Sequence, residues 1–163
     1  MCSSKETTLD AVIDIITEKL DSGGTVTFTP HGTSMLPMLR DGEDVVMLKK
    51  PTGRLHLFDV PLYRRKNGQY VLHRVIDFSK DGSYVMCGDN QFAKEKGITD
   101  EQIIAVMTGF HRKGKPYATD FLRYRAYVNF WYYTRLPRRL FRAVKSRFRK
   151  VFPKKNKKAE DNS

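Results

Sequence analysis

Apolar residues recur at Leu9, Val12, Ile13, Ile16 and Leu20, with Asp10, Asp14, Glu18 and Lys19 between them. This is the stripe of an amphipathic helix, since about 3.6 residues per turn gather such positions on one face. The spacing predicts a helix over 8–20, capped by Thr7 or Thr8 and stopped by Gly23-Gly24. The period then falls to two. Val26-Thr27-Phe28-Thr29 predicts a strand, Arg40-Asp41-Gly42-Glu43 a turn, and Asp44-Val45-Val46-Met47-Leu48 a short buried strand. Residues 58–64 predict another strand, with Pro61 marking an edge or a bulge. Asn67-Gly68 is a strong hairpin signal that returns the chain as a strand over 69–76. Asp81-Gly82 makes a second hairpin into Tyr84-Val85-Met86-Cys87, Gly88-Asp89-Asn90 is a turn, and residues 103–110 form a last strand. Short strands joined by glycine-containing hairpins describe a mainly β fold, a compact coiled antiparallel sheet rather than a βαβ array.

Beyond residue 115 the pattern changes. Phe121, Tyr124, Tyr127, Val128, Trp131 and Tyr132 stand at helical spacing within 119–134, and Pro137 breaks that helix or starts a second. Leu140, Phe141, Val144, Phe148 and Val151 continue an apolar line among arginines and lysines. The expected organisation is an N-terminal helix (1–24), a β domain (25–115), a basic, aromatic helical extension (116–153) and a solvated, disordered tail (154–163).

Charge sharpens that division. Residues 1–110 carry 13 Lys/Arg against 15 Asp/Glu, so the body is close to neutral, whereas residues 111–158 carry 17 Lys/Arg against the single acid Asp120. A basic, aromatic extension points to an anionic partner, and residues 119–158 are a candidate surface for an anionic membrane. Nucleic acid is not expected, because no helix-turn-helix or zinc motif accompanies the arginines. The opening residues predict no signal peptide, and no run approaches the roughly 18–20 apolar residues that span a bilayer. The expected location is cytoplasmic, peripheral at the inner face of the membrane if a membrane is met. Cys2 and Cys87 have no metal-ligand spacing, so neither a metal nor a cofactor is expected.

The stretch with chemical potential is His31-Gly32-Thr33-Ser34-Met35-Leu36-Pro37-Met38-Leu39. Gly32 allows backbone angles closed to other residues, and Pro37 fixes its own φ. Met35, Leu36, Met38 and Leu39 are expected to pack beneath the turn and hold Ser34 still. A serine so held becomes a nucleophile when a base takes its proton. Of His31, His56, His73 and His111, His73 is the best placed, because it interrupts the apolar run Tyr70-Val71-Leu72-His73-Arg74-Val75-Ile76. Alternation sets Val71, His73 and Val75 on one face and Leu72, Arg74 and Ile76 on the other. His31 is expected to be too constrained by its turn. The Ser34 backbone N–H is the expected oxyanion donor, with Thr33 Oγ1 a weaker one.

Four segments in order, Gly32-Thr33-Ser34-Met35-Leu36-Pro37, Asp41-Gly42-Glu43-Asp44-Val45-Val46, Leu72-His73-Arg74-Val75-Ile76 and Gly88-Asp89-Asn90, resemble the boxes of type I signal peptidases and LexA-type self-cleaving repressors. The resemblance covers residues 25–110 and implies a LexA/signal-peptidase-like β fold. It implies that Ser34 is the nucleophile, that His73 is the base in the branch that uses histidine rather than lysine, and that Asp89 supports the base. It also implies an extended leader or signal peptide as substrate, with Met35 and Pro37 beside it. The chain departs from the family where Gly32 replaces a hydroxyl residue and where Gln91-Phe92-Ala93-Lys94-Glu95 lacks further acids. Asp89 and Glu95 therefore both stand as third members. A repressor would need a DNA-binding domain ahead of the serine, and with residues 1–24 preceding the first strand that reading is not expected. The expectation is a serine endopeptidase; the alternative is a catalytically inactive module whose basic tail binds a membrane or a protein.

Overall fold

The computed structural model describes residues 3–135, 137–141, 144 and 147, with side chains from residue 12 onward. It divides into two compact units, residues 1–128 and 129–163. The first is mainly β and its antiparallel sheet curls. Helix α1 (Ser3–Asp21) begins earlier than its apolar stripe predicts, so Thr7 and Thr8 lie inside it rather than capping it. It ends at Gly23, whose φ of 80° suits glycine alone. Leu20 is its anchor in the core, with Ile16 packed alongside.

The larger sheet contains β1 (Val26–Phe28), β2 (Val45–Lys49), β3 (Pro61–Arg64), β4 (Tyr70–Leu72), β8 (Ile103–Arg112) and β9 (Lys115–Ala118). The smaller contains β5 (Arg74–Phe78), β6 (Tyr84–Cys87) and β7 (Glu95–Ile98). The order β1-β2-β8-β3-β4 makes β8 the spine: β2 lies along one side of it, while β3 and β9 share the other. Register shifts at Met47/Leu48 and Leu62/Tyr63 put bulges into this sheet, and bulges bend and twist strands. Gly109 lies where β2, β8 and β9 meet; a Cβ there would stand 2.7 Å from the Met47 methyl and 2.8 Å from the Tyr117 carbonyl oxygen.

Three expectations need correcting. The strand over 69–76 is two strands, β4 and β5, in different sheets, with His73 as the single residue between them. Alternation survives the break: Val71 and Val75 pack with Tyr63, Tyr84, Met86 and Ile98, while Leu72 joins the other core with Met38, Leu39 and Val46. Both faces are covered, so residues 72–76 are all buried. Of the two readings of Pro61 the edge falls, since β3 runs between β8 and β4, and the bulge is found beside it at the Leu62/Tyr63 register shift; Pro61 is the first residue of its strand, where a missing N–H is tolerated. The sheet also continues past residue 115, because β9 pairs with the end of β8. Strands β7 and β9 carry too little apolar alternation to be read from sequence.

Helix α2 (Leu122–Tyr133) forms where the aromatic spacing predicts. Val128 is buried, and Tyr124 and Tyr127 pack against the larger core. Within the second unit, the Arg138 guanidinium lies 3.5 Å above the Trp131 ring and donates to the Trp131 carbonyl at 2.5 Å. The expected tail over 154–163 lies outside the described residues. No helix among the described residues is long and apolar enough to cross a membrane.

Candidate active site

The serine loop is held at three places. At its start, Gly32 N–H donates to Asp41 Oδ1 at 2.9 Å and Gly42 N–H donates to the Pro30 carbonyl at 3.1 Å. At its end, the fully buried carboxylate of Asp44 accepts from Arg40 N–H at 2.9 Å, from the Arg40 guanidinium at 3.0 Å and from Arg112 at 2.7 Å. Burial works against the Asp44 charge, but Arg112 and Arg40 overcome it and hold its carboxyl below the usual range. Arg112 also donates to the Met38 carbonyl at 2.5 Å. Met35, Met38 and Leu39 are buried beneath the turn, as expected, and the Leu36–Pro37 peptide is cis.

The third hold is the Gly88-Asp89-Asn90 turn. Asn90 N–H donates to the Ser34 carbonyl at 2.8 Å, and Asn90 Nδ2 donates to the Thr33 carbonyl at 3.0 Å. Gly88 allows this approach: a Cβ there would lie 2.6 Å from the Ser34 carbonyl oxygen and 3.1 Å from Ser34 Cβ. Arg74 pairs with Cys87 across β5 and β6, so His73 and Gly88 are the residues that adjoin the same end of that ladder in the chain. Gly88 thus lies against the predicted nucleophile and follows the strand whose partner begins just after the predicted base. Among the described residues no hydrogen bond joins the Ser34 hydroxyl to the His73 ring; such bonds are often loose without substrate. Ser34 lines a cavity of about 150 Å³ with Met35, Leu39, Tyr70, Val71 and Leu72.

His73 is 4% exposed, and its Nδ1 lies 3.3 Å from the Tyr63 hydroxyl. Tyr63 spends its proton elsewhere, donating to Glu95 Oε2 at 2.8 Å, and Arg65 grips Glu95 at 2.7 Å. With the Tyr63 hydrogen committed, the Tyr63 oxygen is left to accept Nδ1–H. Nε2 then carries the lone pair, the tautomer a general base needs. Burial, helped by the Arg65 charge, pushes the imidazole down to about 4, although Glu95 and Asp89 act the other way. Burial raises the Tyr63 hydroxyl far above its ordinary value, and the Glu95 charge adds to this. For Glu95 itself burial opposes ionisation, but Arg65 and Tyr63 prevail and its carboxyl stays low.

Asp89 has a different partner from the one the resemblance implies. Both its oxygens accept from Arg74, at 2.8 and 2.7 Å, and each of these two side chains is 3% exposed. Arg74 also donates to the Phe58 carbonyl at 2.9 Å, to the Tyr124 hydroxyl at 3.0 Å and to Met38 Sδ at 2.7 Å. Burial disfavours the Arg74 charge, yet Asp89 and Tyr124 more than offset it and keep the guanidinium protonated. Of the two open third members, Glu95 is the one that reaches the base, through Tyr63. Met35 is beside Ser34 as expected. Pro37 is not in that cavity; it lines a larger groove behind the turn. His31 does line the Ser34 cavity, but it is exposed and 3.4 Å from Asp41. Thr33 is exposed, and its hydroxyl has no part in the holds described.

Tyr63, Arg65, Asn90 and Arg112 are the residues that sequence reasoning missed. Pro61 signalled an edge or a bulge in this strand, but not that Tyr63, beside the register shift at Leu62/Tyr63, meets His73. Among the described residues no group of three or more His, Cys, Asp or Glu side chains could hold a metal ion. The arrangement offers a rigid hydroxyl, an imidazole of defined tautomer and a Ser34 N–H that donates to no acceptor among the described residues. That set is suited to acyl transfer. Comparison with known proteins adds no class: no family model, curated protein or solved structure matches the chain.

Proposed function

We propose that the chain is a serine endopeptidase of the signal-peptidase-like type, cutting an extended leader or signal peptide with a Ser34–His73 dyad. The observation that supports this reading is that Gly88 lies against Ser34 and follows Cys87, whose strand partner Arg74 directly follows His73. In the reaction, Ser34 Oγ attacks the scissile carbonyl while His73 Nε2 takes its proton. The His73 imidazolium then returns that proton to the leaving amine, and water repeats the sequence on the acyl-enzyme. The Ser34 N–H is aimed at the developing oxyanion. Tyr63 and Glu95 keep Nδ1–H engaged, so that the ring cannot turn over. Strand β4 ends the order of its sheet and lines the Ser34 cavity, which leaves an edge for an extended peptide to join as a further strand.

A second reading keeps the fold without the chemistry: a module that binds an anionic membrane or a protein through its basic end. The unjoined Ser34 and His73 groups favour it. Cleavage of a leader peptide, with labelling of Ser34 by an organophosphonate, separates the two. Ser34→Ala and His73→Ala are each expected to lower kcat/KM at least about a thousandfold, while His31→Ala stays within about twofold. Equal turnover by all four proteins, or no labelling of Ser34, leaves the module reading in place.

A further inference from the structure

A second cavity in the first unit is larger than the one at Ser34. It is a half-open groove of about 760 Å³ behind the serine turn, walled by Met38, Phe110, Tyr117, Phe121, Leu122 and Tyr124. Its volume falls in the range of small-molecule sites, roughly 300–1,000 Å³, and its walls are apolar and aromatic. Its outer lip is exposed hydrocarbon: Phe121 is 58% and Leu122 is 81% exposed. Large side chains this open on adjoining positions mark a surface that meets something apolar.

The charges around the lip say what that is. Arg123 lines the groove, and Lys113 and Lys115 lie in the chain just before its Pro116 wall; all three are exposed and form no ion pair among the described residues. Asp120 is the only acid in residues 111–158. An apolar opening lined by Arg123, with further exposed lysines close in the chain, matches the interface of a bilayer, where hydrocarbon lies just beneath anionic headgroups. A protein partner would answer the apolar lip or the cations; an anionic bilayer answers both. A nucleic acid would leave the groove itself empty.

We infer that this face docks on an anionic lipid bilayer and that the groove seats a lipid acyl chain. The inference extends the membrane reading of the basic end to a defined pocket on the β body, and it is independent of catalysis. Docking there sets the serine loop beside the bilayer, since Pro37 and Met38 of that loop form one wall of the groove.

The test is co-sedimentation of the full chain with phosphatidylcholine vesicles, with and without phosphatidylglycerol. A second measurement follows the Met38 methyl signal by NMR when the lipids carry a paramagnetic label on the acyl chain. The expected result is binding to the anionic vesicles alone, broadening of Met38, and binding at least about tenfold weaker in the Phe121→Asp/Leu122→Asp double variant. Both side chains are exposed, so the variant should fold, and its circular dichroism checks this. Ser34→Ala is expected to bind like wild type, which separates failure here from failure of the peptidase reading. Unchanged binding by the double variant, or vesicle binding with an unbroadened Met38, would overturn the inference by reducing it to surface charge. Binding of single-stranded RNA with no vesicle binding would overturn it too.

Discussion

His73 and Arg74 are neighbours in the chain and opposites in the fold. His73 points into the smaller core, to a chain of three hydrogen-bonded groups that ends at Arg65 near the surface. Arg74 points into the other side and is closed in by Asp89, Tyr124, Met38 and the Phe58 carbonyl. Both are buried, yet one is arranged to stay charged and the other to stay neutral. What separates them is the partner. A carboxylate gripping a guanidinium with two oxygens restores what desolvation takes away. A tyrosine hydroxyl already committed to a glutamate offers an imidazole one acceptor and no countercharge in contact. Permanence is built on one side of a strand and reversibility on the other.

The comparison breaks most violently at Arg74. Arg74→Ala leaves Asp89 buried without its partner and is expected to cost about 3–5 kcal/mol of stability, read by urea denaturation. Replacing both residues, Arg74→Met with Asp89→Leu, should cost clearly less than Arg74→Ala. If the double variant is instead the less stable protein, the pair is not the closed electrostatic unit described.

The His73 side should respond to pH where the Arg74 side does not. An ordinary imidazole near 6.5 is lowered to about 4 in the fold, so between those values the unfolded chain binds the proton and the folded chain does not. Stability therefore rises with pH across this window, by about 3 kcal/mol in all, and is lost as pH falls through it. In His73→Gln the rise attributable to this site should vanish. The acid limb of kcat/KM should likewise fall near pH 4 rather than near 6.5. A limb at the ordinary imidazole value would mean that His73 is solvated when the enzyme works.

Tyr63→Phe makes the smallest change, deleting one oxygen and nothing else. It should lower kcat by about tenfold to a hundredfold, with KM little altered, and imidazole nitrogen NMR should register a shift of tautomer away from Nδ1–H. An unchanged nitrogen spectrum would remove Tyr63 from any positioning role.

Much of this was legible in the residues, and the illegible part has a physical cause. Local patterns carried the N-terminal helix, the Asn67-Gly68 hairpin and the packing of Met35, Met38 and Leu39, because periodicity and turn chemistry act over a few residues. His73 was visible as a polar interruption of an apolar run. Its partner was not: Pro61 signalled an edge or a bulge in β3, but no short-range rule tells that Tyr63, beside that bulge, lies against residue 73. Asp89 was assigned to the base by resemblance, but Arg74 holds it, and that choice is made by two sheets folding toward each other. Glu95 stood out only as the remaining acid; its place depends on β7, whose Glu-Lys-Gly-Ile run has almost no apolar signal.

The reach of Arg74 has one more consequence, for the order in which this region is completed during synthesis. Its guanidinium collects groups from residues 38, 58, 89 and 124, so its last partner is supplied by α2. During synthesis the serine loop and the base emerge well before that helix does. Until residue 124 is free of the ribosome, the guanidinium that secures the Asp89 turn has one donor unmet, and the turn that carries Ser34 lacks its full support. A nascent chain therefore lacks one of the contacts that fix this turn until α2 has emerged.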